Sequence, residues 1–200
     1  MSESSPAEVL KAFRETGAYL NGHFRLTSGL HSSEYLQCAL VLQHPAIAER
    51  LGRELASRLE ALPEKLEKPN VVVSPAIGGL IIGHEVARAL GARFLFTERD
   101  ASGKMTLRRG LAIEPGETAV VVEDVVTTGG TTREVIDLVQ SRPARVLAAG
   151  SIIDRSGGRV DLGVPRMALA TLDAIAWKPE ECPLCTQGIA VEKPGSRPSA

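Results

Sequence analysis

The chain of 200 residues has few of the features that mark secreted, membrane-spanning or nucleic-acid-binding proteins. Its three cysteines are too few for a disulfide framework. No apolar run approaches the length that spans a bilayer, and the N-terminus has no basic region followed by an apolar stretch. The formal net charge is −1, which implies no general attraction to nucleic acid or to an anionic membrane. We therefore expect one soluble cytoplasmic domain, with neither nucleic acid nor a membrane as partner.

Two of the cysteines, Cys182 and Cys185, have the CxxC spacing of half a zinc site or of a redox pair. A zinc site with four protein ligands needs two more. The four histidines all lie far upstream: His23, His31, His44 and His84. A redox pair is expected near the start of a helix in an early βα unit, and this pair lies in a proline-rich C-terminal segment. We interpret it as a structural turn with reduced thiols and expect no protein metal site.

Helical and strand patterns alternate along the chain. Residues 5–8 form a capping-box pattern with proline at the first helical position, and residues 45–62 have the period of an amphipathic helix. Apolar runs that predict strands follow at 71–73, 93–97, 119–122, 145–153 and 167–172. This alternation predicts right-handed βαβ units and an α/β fold with a mainly parallel central sheet flanked by helices.

The remaining segments suggest how the domain is organised. Residues 19–42 are irregular or hairpin-like, and the Pro/Gly/Ser-rich end of the chain lacks an apolar pattern. We expect a single domain over 1–187, with a small N-terminal hood at 1–42, a core at 45–175 and a flexible tail at 188–200. Ligands of a parallel sheet gather at the carboxyl ends of its strands. Four loops fall there and must converge if they form one active site: 74–79, 98–110, 123–131 and 154–158.

The strongest functional signal spans residues 119–132. A strand-like run leads into Glu123 and Asp124, then two valines, a turn rich in threonine and glycine, and a helical pattern. Amides of such a turn and the N-terminus of the helix together form an anion cradle. No lysine follows the glycines, so this is not a GxxxxGK nucleotide loop. An ordinary buried strand and turn is the alternative, but two carboxylates ahead of an anion cradle suit a phosphorylated ribose.

This order of residue types resembles the 5-phosphoribosyl-1-pyrophosphate (PRPP) motif of type I phosphoribosyltransferases. The resemblance implies that family's fold, PRPP as substrate, and Mg²⁺ bound mainly through PRPP. The PRPP-binding residues that it implies are Arg99, Glu123, Asp124, Val125, Val126, Thr127, Thr128, Gly129, Gly130 and Thr131. Asp124 is also implied to be catalytic, because its charge lies beneath the ribose as positive charge develops at C1.

Two further segments resemble orotate phosphoribosyltransferases. Residues 22–29, GHFRLTSG, are similar to a segment that forms part of the hood over the base. Arg155 follows Asp154 at the end of a predicted strand, and the resemblance implies that Arg155 and Thr127 bind orotate. An arginine fork matches a planar carboxylate, which orotate has and hypoxanthine, guanine and uracil lack. The implied reaction gives orotidine 5′-monophosphate and pyrophosphate, a step of de novo pyrimidine biosynthesis.

The polar loop 98–110 contains two glycines and resembles a mobile loop that closes over pyrophosphate, often across a dimer interface. The resemblance implies that Lys104 is catalytic, that Arg99 assists it, and that the protein is a homodimer. Arg108 and Arg109 are weaker candidates, because basic residues in loops are usually solvated. Closure of the loop is expected to exclude water from the activated sugar.

The chain departs from this family at two positions. Thr27 and Ile77 stand where many orotate phosphoribosyltransferases have lysines, so the amides of 76–79, Arg99 and Lys104 must carry more of the pyrophosphate charge. Two alternatives stay open: a phosphoribosyltransferase for another base, and a regulator that kept the PRPP fold but binds nucleic acid. Arg155 and the hood segment weigh against the first. The near-zero net charge and the lack of an evident helix-turn-helix weigh against the second.

Overall fold

The computed structural model describes residues 4–26, 28–63 and 67–194, so Thr27 lies outside the described residues. The first helix, α1 (Pro6–Glu15), begins at the predicted capping box. The Glu8 amide donates to Ser5 Oγ at 3.3 Å, and the Ser5 amide donates to a Glu8 carboxylate oxygen at 2.6 Å. This pair satisfies two of the backbone donors that the first turn of a helix leaves free.

After α1, the N-terminal hood contains a hairpin and one short helix, which lead into the first helix of the core. Strands β1 (Tyr19–Arg25) and β2 (His31–Leu36) form a separate antiparallel sheet of two strands. The short α2 (Cys38–Leu42) connects the hairpin to α3 (Pro45–Glu60), whose buried residues include Leu51, Leu55 and Leu59. The hairpin-like reading of this region and the helix predicted from residue 45 are confirmed.

The core is a six-stranded sheet with helices on both faces. In chain order its elements are β3 (Val71–Pro75), α4 (Gly79–Leu90), β4 (Arg93–Arg99), β5 (Met105–Leu107), β6 (Thr118–Val126), α5 (Gly130–Gln140), β7 (Arg145–Asp154) and β8 (Arg166–Thr171). The strand order is β5-β4-β3-β6-β7-β8, and only the β4–β5 pair is antiparallel. The mainly parallel sheet predicted from the sequence is thus confirmed.

Consecutive residues of the central strands face opposite layers of the core, as the period of a strand requires. Val72, Val120 and Val122 pack with α3 and α4, whereas Val71, Val73, Ala119 and Val121 pack with α5. A strand buried on both faces must be apolar throughout, which explains the unbroken valine runs of β3 and β6. Both strands end with their carboxyl ends at the same edge, where the predicted ligand-binding loops begin.

Two segments differ from the expectations. Residues 98–110, expected as an open loop, contain part of a hairpin in which Thr97 pairs with Leu107 and Arg99 with Met105. The region from 188, expected as the start of a flexible tail, lies along β1: the Arg25 amide donates to the Glu192 carbonyl at 2.8 Å, and the Glu192 amide to the His23 carbonyl at 2.7 Å. Residues 195–200 are outside the described part of the chain.

The C-terminal segment leads to this pairing through a 3₁₀ helix (Pro179–Glu181) and α6 (Pro183–Thr186). Among the described residues, no helix combines the length and the apolar character needed to traverse a lipid bilayer.

Candidate active site

The carboxylates of the motif lie at the end of β6. Glu123 is 7% exposed, and Asp124 Oδ1 accepts a hydrogen bond from the Val125 amide at 2.9 Å. Burial, reinforced by the charge of Asp124, raises the pKa of Glu123 well above its usual range, and burial also raises the pKa of Asp124. In the described part of the chain, no basic side chain lies within ion-pair distance of either group. Among these residues no cation offsets the charge of the pair, and a ligand can supply that positive charge.

The turn between β3 and α4 packs directly against Asp124. A Cβ atom at Gly78 would lie 2.7 Å from each Asp124 carboxylate oxygen, so a side chain there would collide with the acid. The peptide bond between Ala76 and Ile77 is cis, and Ile77 is 73% exposed. The backbone of this turn, rather than a charged side chain, thus lies beside the carboxylates.

The threonine- and glycine-rich turn is held tightly against the loop that precedes β8. Gly129 has φ +74°, and a Cβ atom there would lie 2.5 Å from Val160 Cγ1, so both conformation and space require glycine. Helix α5 begins at Gly130, directly after the turn. The first amides of a helix have no partners within it, so the turn and the helix together present donors for an anion.

Arg155 is buried beneath the hood. It is 6% exposed, and its Nη2 donates to Ser32 Oγ at 3.0 Å and to the Glu34 carbonyl at 3.1 Å. Its buried Nε has no hydrogen-bond partner, and no carboxylate among residues 4–26, 28–63 and 67–194 pairs with it. Burial lowers the pKa of the guanidinium, but an arginine stays charged. Arg155 is thus a buried cation that forms no ion pair with a carboxylate of the described residues, although the charge of Glu34 acts on it.

A cleft of about 470 Å³ brings Arg155 together with the PRPP-motif turn. It is lined from three sides: by Thr127 and Thr128, by the tip of the hood hairpin, and by residues 173–176. At its rim, Arg159 forms an ion pair with Asp173 at 2.7 Å. Thr127, Thr128 and Arg155, which the sequence analysis assigned to one site, are thus neighbours.

Arg99 and Lys104 lie elsewhere. Both line a second cleft of about 540 Å³ against α5, with Glu134 and Asp137. Arg99 Nη1 forms an ion pair with Glu134 at 2.8 Å and donates to the Gly103 carbonyl at 2.7 Å. Three of the four predicted loops meet around Asp124 and Arg155, whereas the tip of loop 98–110 does not reach them within this chain. Arg109, a weaker candidate, pairs with Glu98 at 2.8 Å.

Sequence reasoning missed two neighbours of Asp124. The Cys38 thiol is 1% exposed, and burial, reinforced by the charge of Asp124, raises its pKa well above the usual range. Burial and the charge of Asp124 also raise the pKa of Tyr35. Both residues come from the hood, so the hood contacts the PRPP-motif carboxylate as well as Arg155. No pattern in the sequence marks either contact, because both join segments that are distant along the chain.

Contrary to the expectation from the sequence, Cys182 and Cys185 have histidine partners nearby. His23 and His31 lie beside them, and the four ligand atoms are within 4.8 Å of one another. The histidines are distant in sequence, but the C-terminal segment folds back onto the hairpin that carries them.

Comparisons with known proteins agree with this geometry. Residues 39–177 match the phosphoribosyl transferase domain family. The chain is 53% identical to the orotate phosphoribosyltransferase of Heliobacterium modesticaldum, over 96% of this chain and 99% of that protein. It is 55% identical to that of Pelotomaculum thermopropionicum, over 95% and 97%. The crystal structure of orotate phosphoribosyltransferase from Aeropyrum pernix superposes with a TM-score of 0.67 at 26% identity, covering 82% of this chain and 94% of that chain.

Proposed function

Because the chain belongs to the orotate phosphoribosyltransferases of the phosphoribosyl transferase domain family, we propose that it transfers the ribose 5-phosphate group of PRPP to orotate. The bond from C1 of the ribose to pyrophosphate breaks, and a bond from the orotate ring nitrogen to C1 forms. The products are orotidine 5′-monophosphate and pyrophosphate. The observation that carries the proposal is Arg155, a buried cation that is ion-paired with no carboxylate in the described part of the chain, in the same cleft as the anion-binding turn.

PRPP binds with its 5′-phosphate in the turn. The amides of residues 128–131 surround the phosphate, and the N-terminus of α5 adds partial positive charge. Glu123 and Asp124 accept hydrogen bonds from the 2′- and 3′-hydroxyls of the ribose. The pyrophosphate lies toward the turn that contains Gly78. Gly78 lies so close to Asp124 that no side chain fits there, so this part of the turn contacts the pyrophosphate through its backbone only.

Orotate occupies the cleft between this turn and the hood. Its carboxylate pairs with the Arg155 guanidinium and supplies the missing acceptor for Nε. Thr127 contacts the base from the side of the PRPP turn. Uracil has no carboxylate, so its binding would leave the buried guanidinium of Arg155 unpaired. The free-energy cost of that unpaired charge disfavours uracil and contributes to the selection of orotate.

Catalysis rests on orientation and electrostatics. As the bond to pyrophosphate breaks, positive charge develops on the ribose ring, and the negative charge of Asp124 and Glu123 stabilises it. No general base is assigned, because the orotate ring nitrogen can react as a stabilised anion after losing its proton to solvent. The low polarity that raises the carboxyl pKa values also strengthens their attraction to the developing charge.

The site fits a magnesium ion carried mainly by PRPP. Two adjacent acids without a basic partner among the described residues suit hard, oxygen-bound cations, and Mg²⁺ usually combines one or two carboxylates with substrate phosphates. Glu123 and Asp124 would hold it together with the substrate's oxygens. When bound, the ion neutralises charge on the departing pyrophosphate.

Lys104 is proposed to act on the active site of a second copy in a homodimer. In its own chain, Lys104 lies in the cleft beside α5 rather than with Arg155, so a role at the pyrophosphate requires either a large loop movement or a partner. Arg99, tied to Glu134 in the same cleft, would accompany it.

Mixing two inactive variants distinguishes action of Lys104 within its own chain from action across a dimer interface. Lys104→Ala leaves Asp124 intact, and Asp124→Asn leaves Lys104 intact. If Lys104 acts across the interface, a hybrid dimer contains one site with both residues, and random exchange restores about a quarter of the wild-type turnover. Equal amounts of the two proteins are unfolded, refolded together and assayed, with each variant refolded alone as control. Dimers that exchange subunits and recover no turnover would show that Lys104 does not act in trans.

PRPP affinity is expected to fall as the pH is lowered. In the free protein the pKa values of Glu123 and Asp124 are raised, whereas bound PRPP needs them ionised to accept its hydroxyls. Binding of PRPP therefore releases protons. The affinity for PRPP is fully present above the raised pKa values and is lost as the pH falls through them. The loss is about tenfold per pH unit for each proton released. Calorimetry in buffers of different ionisation enthalpy measures this release.

Glu123→Gln is the matched control for the proton release. PRPP has titrating phosphates of its own, and their contribution is the same for both proteins. The difference in proton release between wild type and Glu123→Gln is therefore the contribution of Glu123 to the carboxyl pair. Equal proton release by the two proteins would contradict the assignment of the pair to the ribose hydroxyls.

The reaction itself is tested by identifying its products. Protein incubated with orotate, PRPP and Mg²⁺ is expected to form orotidine 5′-monophosphate and pyrophosphate in equal amounts, with no product when Mg²⁺ or PRPP is left out. Omission of magnesium is preferable to a chelator, which would also strip other metals. Pyrophosphate release without the nucleotide would indicate hydrolysis of PRPP and would contradict the proposal.

A further inference from the structure

Four side chains of the metal-ligand type meet where the C-terminal segment crosses the hood hairpin. His23 Nε2 lies 2.9 Å from His31 Nδ1, 3.5 Å from Cys182 Sγ and 3.7 Å from Cys185 Sγ. Cys185 Sγ lies 3.3 Å from His31 Nδ1. Both histidines and Cys182 are buried, at 3%, 6% and 1% exposure. All three cysteines of the chain are free thiols, so no disulfide competes for these sulfurs.

These separations are close to those of ligands around one tetrahedral ion. Zinc bonds of about 2.05 Å to nitrogen and 2.3 Å to sulfur give tetrahedral N···S edges of about 3.6 Å and an N···N edge of about 3.3 Å. Three of the four N···S distances, 3.3, 3.5 and 3.7 Å, fall around that edge, and all four ligand atoms lie within 4.8 Å of one another. The N···N distance of 2.9 Å is shorter by a few tenths of an ångström, which a small rotation of one ring corrects.

The His23 ring is also oriented for metal binding. His23 Nδ1 lies 2.7 Å from the Ile189 carbonyl oxygen, so this nitrogen carries the proton and Nε2 directs its lone pair at the cluster. A metal-bound histidine usually donates its other N–H to a carbonyl or carboxylate in this way. His23 lies at an irregularity in β1 between Asn21 and Phe24, and such a bulge redirects a side chain.

We propose that His23, His31, Cys182 and Cys185 bind a structural zinc ion. Two thiolates and two imidazoles are a zinc donor set, and with Zn²⁺ they form a neutral unit that can be buried without an unpaired charge. Four protein ligands fill the tetrahedron, so no position is left for a substrate, and the role is structural rather than catalytic. This inference does not depend on the transfer reaction, because it rests on a different set of residues.

The ion would join two segments that build the orotate cleft. The backbones already meet beside it: the His31 amide donates to the Trp177 carbonyl and the Trp177 amide to the His31 carbonyl, each at 2.8 Å. Ser32, next to His31, donates to the Ile175 carbonyl at 3.1 Å and also accepts from Arg155. Ile175 lines the cleft. Zinc bound behind this contact would hold the hood and the C-terminal segment together around Arg155.

Metal analysis of the full-length protein tests the site directly. Protein produced in zinc-containing medium and dialysed against metal-free buffer is expected to retain about one zinc per chain by inductively coupled plasma mass spectrometry. Cys185→Ser and His31→Asn are expected to retain less than about a tenth of that. His44→Ala changes an exposed histidine and is expected to keep its zinc, as is Cys38→Ser, which removes the remaining cysteine.

Cobalt substitution of the wild-type protein needs no variant and gives a geometric readout. Co²⁺ in a site of two thiolates and two imidazoles is expected to show sulfur-to-metal charge transfer and the intense visible bands of tetrahedral coordination, and zinc should displace it. Zinc-free protein is expected to melt at least about 5 °C lower. Its KM for orotate should rise more than its KM for PRPP, because the hood hairpin touches Arg155.

Several results would overturn the proposal, and none of them depends on turnover. Wild-type protein without zinc and with freely titratable Cys182 and Cys185 thiols would do so, as would a Cys182–Cys185 disulfide in protein purified under mild conditions. Zinc content unchanged by Cys185→Ser would place the metal elsewhere. Octahedral cobalt bands would contradict the four-ligand site.

Discussion

Arg155→Ala is expected to weaken orotate binding by about 2–5 kcal/mol, a factor of about 30 to 5,000, while PRPP binding stays nearly unchanged. Arg155 is 6% exposed with an unpartnered Nε, so the orotate carboxylate is its missing partner and loses that pairing in the variant. Calorimetric titration of each ligand separately measures both affinities.

Two controls separate recognition of the base from support of the hood. Arg159→Ala removes a second arginine from the same cleft, one whose charge is already paired with Asp173, and should change orotate affinity little. Ser32→Ala removes a hydrogen bond between the hood and Arg155 but keeps the cation. Two results would show that Arg155 positions the hood rather than binds the base. One is a loss of orotate affinity in Ser32→Ala as large as that in Arg155→Ala. The other is an equal loss of orotate and PRPP affinity in Arg155→Ala.

Asp124→Asn is expected to lower kcat by about 10²- to 10³-fold while increasing the stability of the free protein. The side chain keeps its size beside Gly78, but the charge that stabilises the ribose as pyrophosphate leaves is lost. The folded-state pKa of Asp124 is raised, so the folded protein loses stability as pH rises from the unfolded pKa through the folded one. That penalty is fully present above the folded-state pKa, and the neutral amide removes it.

Steady-state kinetics and urea unfolding at two pH values test both halves of this prediction. The gain in the free energy of unfolding should be present at neutral pH and should vanish in acid, where the wild-type carboxyl is protonated. Asp161→Asn is the matched control, because Asp161 is exposed, accepts a hydrogen bond from the Gly163 amide and lies outside the cleft. A variant that was both less active and less stable at neutral pH would show that the carboxylate supports the fold rather than the reaction.

Features encoded by neighbouring residues could be predicted from the sequence. The capping box at Ser5, the valine strands β3 and β6, and the turn after Asp124 each depend on residues a few positions apart, so their patterns are visible along the chain. The family and its fold followed from the PRPP motif, and the comparisons confirm both. Arg155 was identified because it directly follows a predicted strand, although its contacts with Ser32 and Glu34 were not foreseen.

Features that depend on contacts between distant segments could not be predicted. His23 and Cys182 are 159 positions apart, and their proximity depends on pairing of the C-terminal segment with β1. The thiol of Cys38 lies near enough to Asp124 for the carboxylate to raise its pKa, although the two residues belong to distant segments of the chain. The β4–β5 hairpin differs from the expectation for another reason. Its polar, glycine-containing sequence is typical of an open loop, whereas backbone pairing, the buried Met105 side chain and the Arg109–Glu98 ion pair hold it as a ladder.

The central claim is that a buried arginine selects orotate for transfer from PRPP. The most direct measurement follows the absorbance of orotate, uracil, hypoxanthine and adenine in parallel, each with the wild-type protein, PRPP and Mg²⁺. We predict rapid consumption of orotate that requires both PRPP and magnesium, with uracil, which lacks only the carboxylate, consumed at least about 10³-fold more slowly. Comparable turnover of uracil and orotate, or preferential turnover of a purine, would contradict the role assigned to Arg155.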